Sequence, residues 1–232
     1  GNDSSKVKKL EDLYSDFKAE IIITDPISSQ LIKYLANTYL PLRLSFVNEA
    51  ARLVNSSGGN LDDVLKGVGM DTRIGQHYFR PSPAWGGSCF PKDVVEVNNF
   101  YDPNEVNVPL IANIIESNKI QTKWTANMLK SIYAEKNLSG IVLVGAAFKE
   151  DTDDLRNSPT LDIYSELIEE NFNTKIYDDL IKSEDYLSLK DFENIDSPHL
   201  IAIMYPVKEK LMSKINDIVS RTNSFLYVPW QI

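Results

Sequence analysis

The chain has 232 residues, 24 Lys and Arg against 33 Asp and Glu, and a net charge of −9. That balance argues against general nucleic-acid binding, while leaving room for a local basic pocket around a phosphorylated small molecule. With 43 % hydrophobic and 10 % aromatic residues it reads as a folded globular protein of one large or two small domains, not a disordered one. No apolar run nears the roughly 18 residues that span a bilayer, and Gly1-Asn2-Asp3-Ser4-Ser5-Lys6 does not look like a signal peptide. The single cysteine and two distant histidines offer no disulfide and no zinc spacing, so a reducing cytoplasm is the expected home.

Residues Lys6 to Phe17 carry Val7, Leu10, Leu13, Tyr14 and Phe17 at helical spacing, and Glu20 to Thr24 read as a buried strand ended by Asp25-Pro26. One helix and one strand cannot bury an apolar face, so this segment reads as the tail of a larger α/β domain. From Ser28 to Ser57 the pattern predicts a helix of some thirty residues, long enough to bridge domains or form a dimer. Pro41 should kink it, because it cannot bond the carbonyl of Asn37. Lys33 and Asn37 form an i,i+4 pair just before that kink, and spacing alone reads them as solvated. Gly58-Gly59-Asn60 closes the helix. Leu61 to Lys66 predicts a short helix stopped by Gly67 and Gly69. The glycine-punctuated stretch from Asp71 to Trp85, with its aromatics, arginines and prolines, reads as a ligand surface.

Gly86-Gly87-Ser88-Cys89-Phe90-Pro91-Lys92-Asp93 follows. Two glycines permit close backbone approach, and a cation with a helix start would favour the thiolate of Cys89. Asp93, four residues on, shares the helical face of Cys89 and is placed to accept a proton. A lone cysteine is more often a buried small hydrophobe; these neighbours reverse that. Asp93 to Tyr101 continues helically, Asp102-Pro103-Asn104 breaks it, and Val108 to Lys136 predicts another long helix. After Asn137-Leu138-Ser139-Gly140 the grammar changes to alternating strands and helices, with strands at 141–144, 174–178, 200–204 and 225–228. Ser158 and Pro159 read as N-cap and first residue of a helix. The predicted architecture is a mostly α central domain with a long helix, then a doubly wound, Rossmann-like parallel sheet. Ligands would sit at the carboxyl ends of its strands, near Phe148, Lys149 and Arg156. Gly145 alone is no dinucleotide fingerprint, since G-x-G-x-x-G occurs nowhere.

Four ordered segments carry a family likeness: Lys33-Tyr34-Leu35-Ala36-Asn37 through Asn48-Glu49, Asp71 to Gly75, Gly86 to Asp93, and Ala147-Phe148-Lys149 through Ser158-Pro159. Together they resemble the nucleotide-sugar 6-dehydrogenases of the UDP-glucose and GDP-mannose dehydrogenase type, over nearly all of residues 6 to 180. Pro91-Lys92-Asp93 is similar to the glucose and mannose branch; the N-acetylated-sugar branch has a histidine before the cysteine and Val-Asp-Pro after it. The resemblance implies an NAD-dependent double oxidation of a sugar C6 alcohol to a carboxylate through a cysteine thiohemiacetal and thioester. Cys89 would be the nucleophile, Asp93 its acid/base partner, and Lys33 and Asn37 the oxygen-stabilising pair. Arg73 would reach the site of an adjacent subunit in a homodimer formed through the long helix. Tyr78, Trp85, Gly86 and Phe90 would touch the nucleotide sugar, UDP-glucose first, joined by Phe148 and Lys149 from the second domain. The implied domains are 1–25, a remnant of an NAD-binding domain; 26–137, helical and dimerising; and 138–232, nucleotide-sugar-binding. No metal, membrane or nucleic-acid partner is implied.

The departures are as informative. The NAD-binding glycines are absent, so the chain alone is expected to carry out no hydride transfer. Pro41, Ser82, Trp85 and the ending Tyr227-Val228-Pro229-Trp230 also differ from the family pattern. GDP-mannose oxidation, or a non-catalytic nucleotide-sugar-binding or assembly homologue, are the alternatives.

Overall fold

The structure is a computed structural model and describes residues 3–100 and 105–229. The expected break at Asp102-Pro103-Asn104, and Trp230, lie outside the described residues. Helix α1 (Ser4–Tyr14) is capped by the Asp3 carboxylate, which accepts from the N–H of Ser5 and Lys6. The expected strand at Glu20–Thr24 does not form, and Ile21, Ile22 and Ile23 are 45, 71 and 55 % exposed. A β ladder needs a second strand to bond, and none of the described strands lies beside this run.

Helix α2 (Pro26–Ser57) starts on Asp25, whose carboxylate accepts from the Ser28 N–H at 3.0 Å and hydroxyl at 2.6 Å. It continues through Pro41 and ends at Gly58, where φ of +69° takes up the last carbonyls. Helix α3 (Leu61–Gly69) runs through Gly67 instead of stopping there. A mid-helix glycine costs about 1 kcal/mol, which burial of Leu61 and Leu65 exceeds. Helix α4 (Phe90–Phe100) holds Pro91 in its first turn, where a missing N–H is no loss. The long helix expected at 108–136 is instead α5 (Pro109–Ala112) and α6 (Ile114–Glu135). At the junction the Asn113 amide donates to the Pro109 carbonyl at 2.7 Å, a side-chain bond that competes with the helical ladder. Among the described residues no helix is long and apolar enough to cross a membrane.

The strands β1 (Gly140–Val144), β2 (Thr174–Tyr177), β3 (His199–Ile203) and β4 (Phe225–Tyr227) form one parallel sheet, ordered β2-β1-β3-β4. Ile141 pairs with Thr174 and with Leu200, so β1 is central. Helices α6 and α7 (Pro159–Glu169) cover one face through Leu129, Ile163 and Leu167 on Ile141 and Leu143. Helices α8 (Leu189–Glu193) and α9 (Glu209–Thr222) cover the other through Phe192 and Ile215 on Val142 and Ile203. Burial on both faces is why these strands read as unbroken apolar runs. The doubly wound sheet is as expected.

Helix α6 serves both parts of the chain. Its N-terminal half packs in the helical core with Trp85 and Val94, and its C-terminal half lies on the sheet. There Lys130, its side chain 14 % exposed, pairs with Glu166 on α7 at 2.9 Å and with Glu170 at its C-cap at 2.7 Å. Strand order reverses between β1 and β3, which opens a crevice at their carboxyl ends.

Candidate active site

The i,i+4 spacing on α2 aims two donors at one carboxylate oxygen. Lys33 Nζ donates to Asp93 Oδ2 at 2.9 Å and Asn37 Nδ2 donates to the same oxygen at 2.6 Å. Lys92 Nζ takes the other oxygen at 2.6 Å. The spacing alone had read Lys33 and Asn37 as solvated; the partner that gathers them lies sixty residues away. The Asp93 side chain is 1 % exposed and both lysines are more than half exposed. Burial pushes the Asp93 carboxyl upward, but the bonds from Lys92, Asn37 and Lys33 overcome it and hold it at about 2. Because its folded value lies below the ordinary carboxylate range, its stabilisation is present above about pH 4 and is lost toward pH 2. Asp93→Asn should therefore cost about 1–2 kcal/mol at pH 7, after discounting for the half-exposed lysines, and progressively less on acidification. Urea unfolding at about pH 7 and pH 3 checks this; a deficit that grows in acid would refute the ion-pair account.

Cys89 is exposed at the start of α4, where its carbonyl accepts from the Asp93 N–H at 3.0 Å. Two cations lie within electrostatic reach of it. Lys92 is raised above its ordinary range first by Asp93 and in smaller part by Cys89; Arg156 is raised first by Asp154 and again in smaller part by Cys89. An exposed thiol at a helix N-terminus beside cations has the surroundings of a nucleophile.

Side chains from two helices suspend the loop before it. The Ser82 N–H donates to Asn48 Oδ1 at 2.9 Å and its carbonyl accepts from Gln121 at 2.9 Å. Thr125 donates to the Pro83 carbonyl, and Asn118 bonds both backbone groups of Trp85. Trp85 lines the cleft beside this loop while its ring, 5 % exposed, is held toward the core by its Nε1, which donates to Ser45 at 2.9 Å. Phe90 stands edge-on to that ring, 6.4 Å between centroids. Both brace the site from the core side, because a tryptophan ring that finds a buried acceptor gains more there than at an open surface.

A cleft of about 220 Å³ opens beside this loop, with Leu44, Arg80 and Gly86 on the helical side and Phe148, Lys149 and Tyr205 on the sheet side. Lys149 Nζ lies 5.5 Å from the Phe148 ring centroid. Gly86 and Gly87 sit where they do because nothing larger fits. A side chain on Gly86 would meet the Asn157 carbonyl oxygen at 1.9 Å, and one on Gly87 (φ +95°) would meet the Phe148 ring at 2.8 Å. Besides Phe90, two residues expected at the nucleotide sugar do not line this cleft, Arg73 being expected at a partner's. Tyr78 is 48 % exposed with φ of +54° and does not line it. Arg73 is exposed, stapled to the Asp71 carboxylate at 2.6 Å, and does not line it either. The same Asp-x-Arg staple recurs at Asp154 and Arg156, at 2.7 Å. Arg43 steadies the first of them by donating to the carbonyls of Ile74 and Gly75.

Sequence reading missed Asp178. It is buried at the end of β2 and accepts from the N–H of Ala146, Leu180 and Ile181 and from the Tyr205 hydroxyl, at 2.7 to 3.0 Å. An acid directly after an apolar strand, Tyr177-Asp178, is the signal that could have found it. Tyr205 in turn packs its ring over Gly145. Among the described residues no group of three His, Cys, Asp or Glu could hold a metal ion.

Two family models match. The UDP-glucose/GDP-mannose dehydrogenase family central domain covers residues 27–120, and the same family's UDP binding domain covers residues 142–218. The UDP-glucose 6-dehydrogenase of Rickettsia prowazekii is 34 % identical over 218 residues, 92 % of this chain and 48 % of its own length. The GDP-mannose 6-dehydrogenase of Azotobacter vinelandii is 28 % identical over 220 residues, 94 % of this chain and 50 % of its own. Among solved structures, a UDP-glucose dehydrogenase from the hyperthermophilic archaeon Pyrobaculum islandicum superposes with a TM-score of 0.75. It is 26 % identical, over 88 % of this chain and 49 % of that one. The chain thus spans about half the length of the relatives it matches.

Proposed function

Because the chain belongs to the UDP-glucose/GDP-mannose dehydrogenase family, we propose that it is the substrate-binding, cysteine-bearing portion of a UDP-glucose 6-dehydrogenase. The observation that carries this reading is the exposed Cys89 at the head of α4, one turn from Asp93, on which Lys33 and Asn37 converge. In this reading residues 26–137 hold the chemistry and 138–232 the nucleotide, while 1–25 belong to a cofactor unit.

The Cys89 thiolate adds to the C6 carbon of the sugar aldehyde. The C–S bond forms, the carbonyl π pair moves onto oxygen, and Lys33 and Asn37 are the donors that stabilise the charge there. At the thioester stage water adds to the same carbon, the C–S bond breaks, and the sulfur leaves as thiolate. Asp93, freed of Lys33 when that lysine turns to the substrate oxygen, takes the proton of the water. The hydride acceptor is proposed to be NAD, but these residues do not form its site. The turn after β1 lacks the glycine fingerprint, and the Tyr205 ring lies 2.6 Å from where a side chain on Gly145 would be, occupying the space a dinucleotide backbone would need. No hydride step is assigned to them.

UDP is placed against Phe148 and Lys149, the cation facing a phosphate. Calorimetry tests this directly: UDP and UDP-glucose should bind, and Lys149→Ala should weaken both by roughly ten-fold, the worth of one charge-assisted contact. Equal binding of GDP-mannose would overturn the uridine assignment, and no binding of any of the three would overturn the site.

A homodimer through α2 is proposed from its exposed stripe. Ile32, Tyr39, Phe46 and Leu53 fall seven residues apart, each more than half exposed, which is the spacing of a helix-to-helix seam. Arg73, outside its own chain's cleft, would reach the partner's. Phe46→Asp with Leu53→Asp is expected to give a monomer by sedimentation velocity, with helical content unchanged; an unchanged dimer would refute the seam. A reducing, cytoplasmic setting is proposed from the single free thiol.

A further inference from the structure

Asn157 lies outside the cleft lining, yet it is where the sheet-bearing half of the chain takes hold of the cysteine loop. Its Nδ2 donates to the Gly87 carbonyl at 3.1 Å, across seventy residues of sequence. Its own carbonyl oxygen fills the space that a side chain on Gly86 would need. Its backbone is left-handed, with φ of +50°, a conformation that asparagine tolerates better than most residues. That turn is itself anchored. Ser158 is the N-cap of α7, as expected, and its hydroxyl donates to the Ala146 carbonyl at 2.6 Å, tying the turn to the loop that carries Phe148. The Phe148 ring then rests against Gly87 from the other side.

We propose that Asn157 is a positioning residue: it clamps Gly87 and so fixes the cysteine thiol two residues on, linking the nucleotide-binding loop to the nucleophile. This rests on the reading of Cys89 as the nucleophile. Three contacts converge on two adjacent glycines, and all three come from residues 148–157. With the carbonyl of Gly87 held, the backbone enters α4 in one direction, and the sulfur stays at the helix N-terminus near Lys92 and Arg156. With it released, glycine's own freedom lets the thiol swing away from both.

The test uses this chain, in which Cys89 is the sole thiol and mass spectrometry reads its alkylation by iodoacetamide directly. Asn157→Asp and Asn157→Gly both suit the left-handed backbone, and neither carries the amide donor. Each is expected to change the alkylation rate roughly three-fold at fixed pH, because the released glycine pair no longer holds the sulfur in one position. The change should persist well below the unfolding midpoint of either variant, which a loss of stability alone would not produce. Circular dichroism confirms folding, and two variants guard against failure of one. Alkylation at the wild-type rate in both variants would overturn the proposal. UDP calorimetry on the same samples separates the two claims. If UDP fails to bind any of them, the nucleotide reading falls, while the ligand-free rates still decide the role of Asn157.

Discussion

Gly86→Ala should destabilise the chain by about 2–3 kcal/mol, the range for forcing an extra methyl into a filled space. The added carbon would lie 1.9 Å from the Asn157 carbonyl oxygen and 3.0 Å from Pro159 Cδ. Neither neighbour is a flexible side-chain end. One is backbone, and the other opens α7 with its ring buried. Relief therefore requires the cysteine loop and the sheet-bearing part to move apart, widening the cleft between Gly86 and Phe148. UDP-glucose affinity should fall at least ten-fold together with the urea midpoint. Gly67→Ala is the internal control. It lies within α3 with open space around it, and should stabilise by up to about 1 kcal/mol. A Gly86→Ala variant within about 0.5 kcal/mol of wild type would mean that the contact gives way without cost.

Asp178→Ala should cost more, about 3–4 kcal/mol. It leaves three buried or half-buried N–H groups and the Tyr205 hydroxyl without their acceptor, and bonds to a charged acceptor are among the stronger ones. The functional effect follows from where those donors sit. Ala146 begins the loop that carries Phe148 and Lys149, and Tyr205 lines the sheet side of the cleft with them. Releasing both from a common carboxylate should abolish measurable UDP binding even where the sheet survives. Asp178→Asn keeps one acceptor oxygen and should lose about half as much stability. If Asp178→Ala binds UDP normally, Asp178 is a structural cap and nothing more.

Local chemistry was legible where the determinant and its effect are near in sequence. The start of α4 at Cys89 follows from Pro91 in its first turn, the end of α2 from Gly58, and the buried strands from their unbroken apolar runs. The errors share one cause, a partner that a local window does not contain. Ile21 to Ile23 have the composition of a strand, but a strand exists only when another lies beside it. Asn113 breaks a helix whose apolar stripe runs on regardless, because its side chain finds the Pro109 carbonyl. The core-side bond of Trp85 is hidden in the same way, since its acceptor Ser45 lies forty residues earlier. Asn157 and Asp178 were missed for the same reason, since everything they bond is brought to them by the fold.

The clamp on the two glycines also restricts how such a protein can be recombined. Gly86 and Gly87 meet Asn157, Pro159 and Phe148 with no room for a side chain, so each segment is shaped to the other's outline there. A chimaera that joins this helical half to a relative's sheet part just before β1 would carry a mismatched seam unless residues 148–159 travelled with the cysteine. Swapping that dodecapeptide, rather than the whole domain, is the economical route to a hybrid that still assembles.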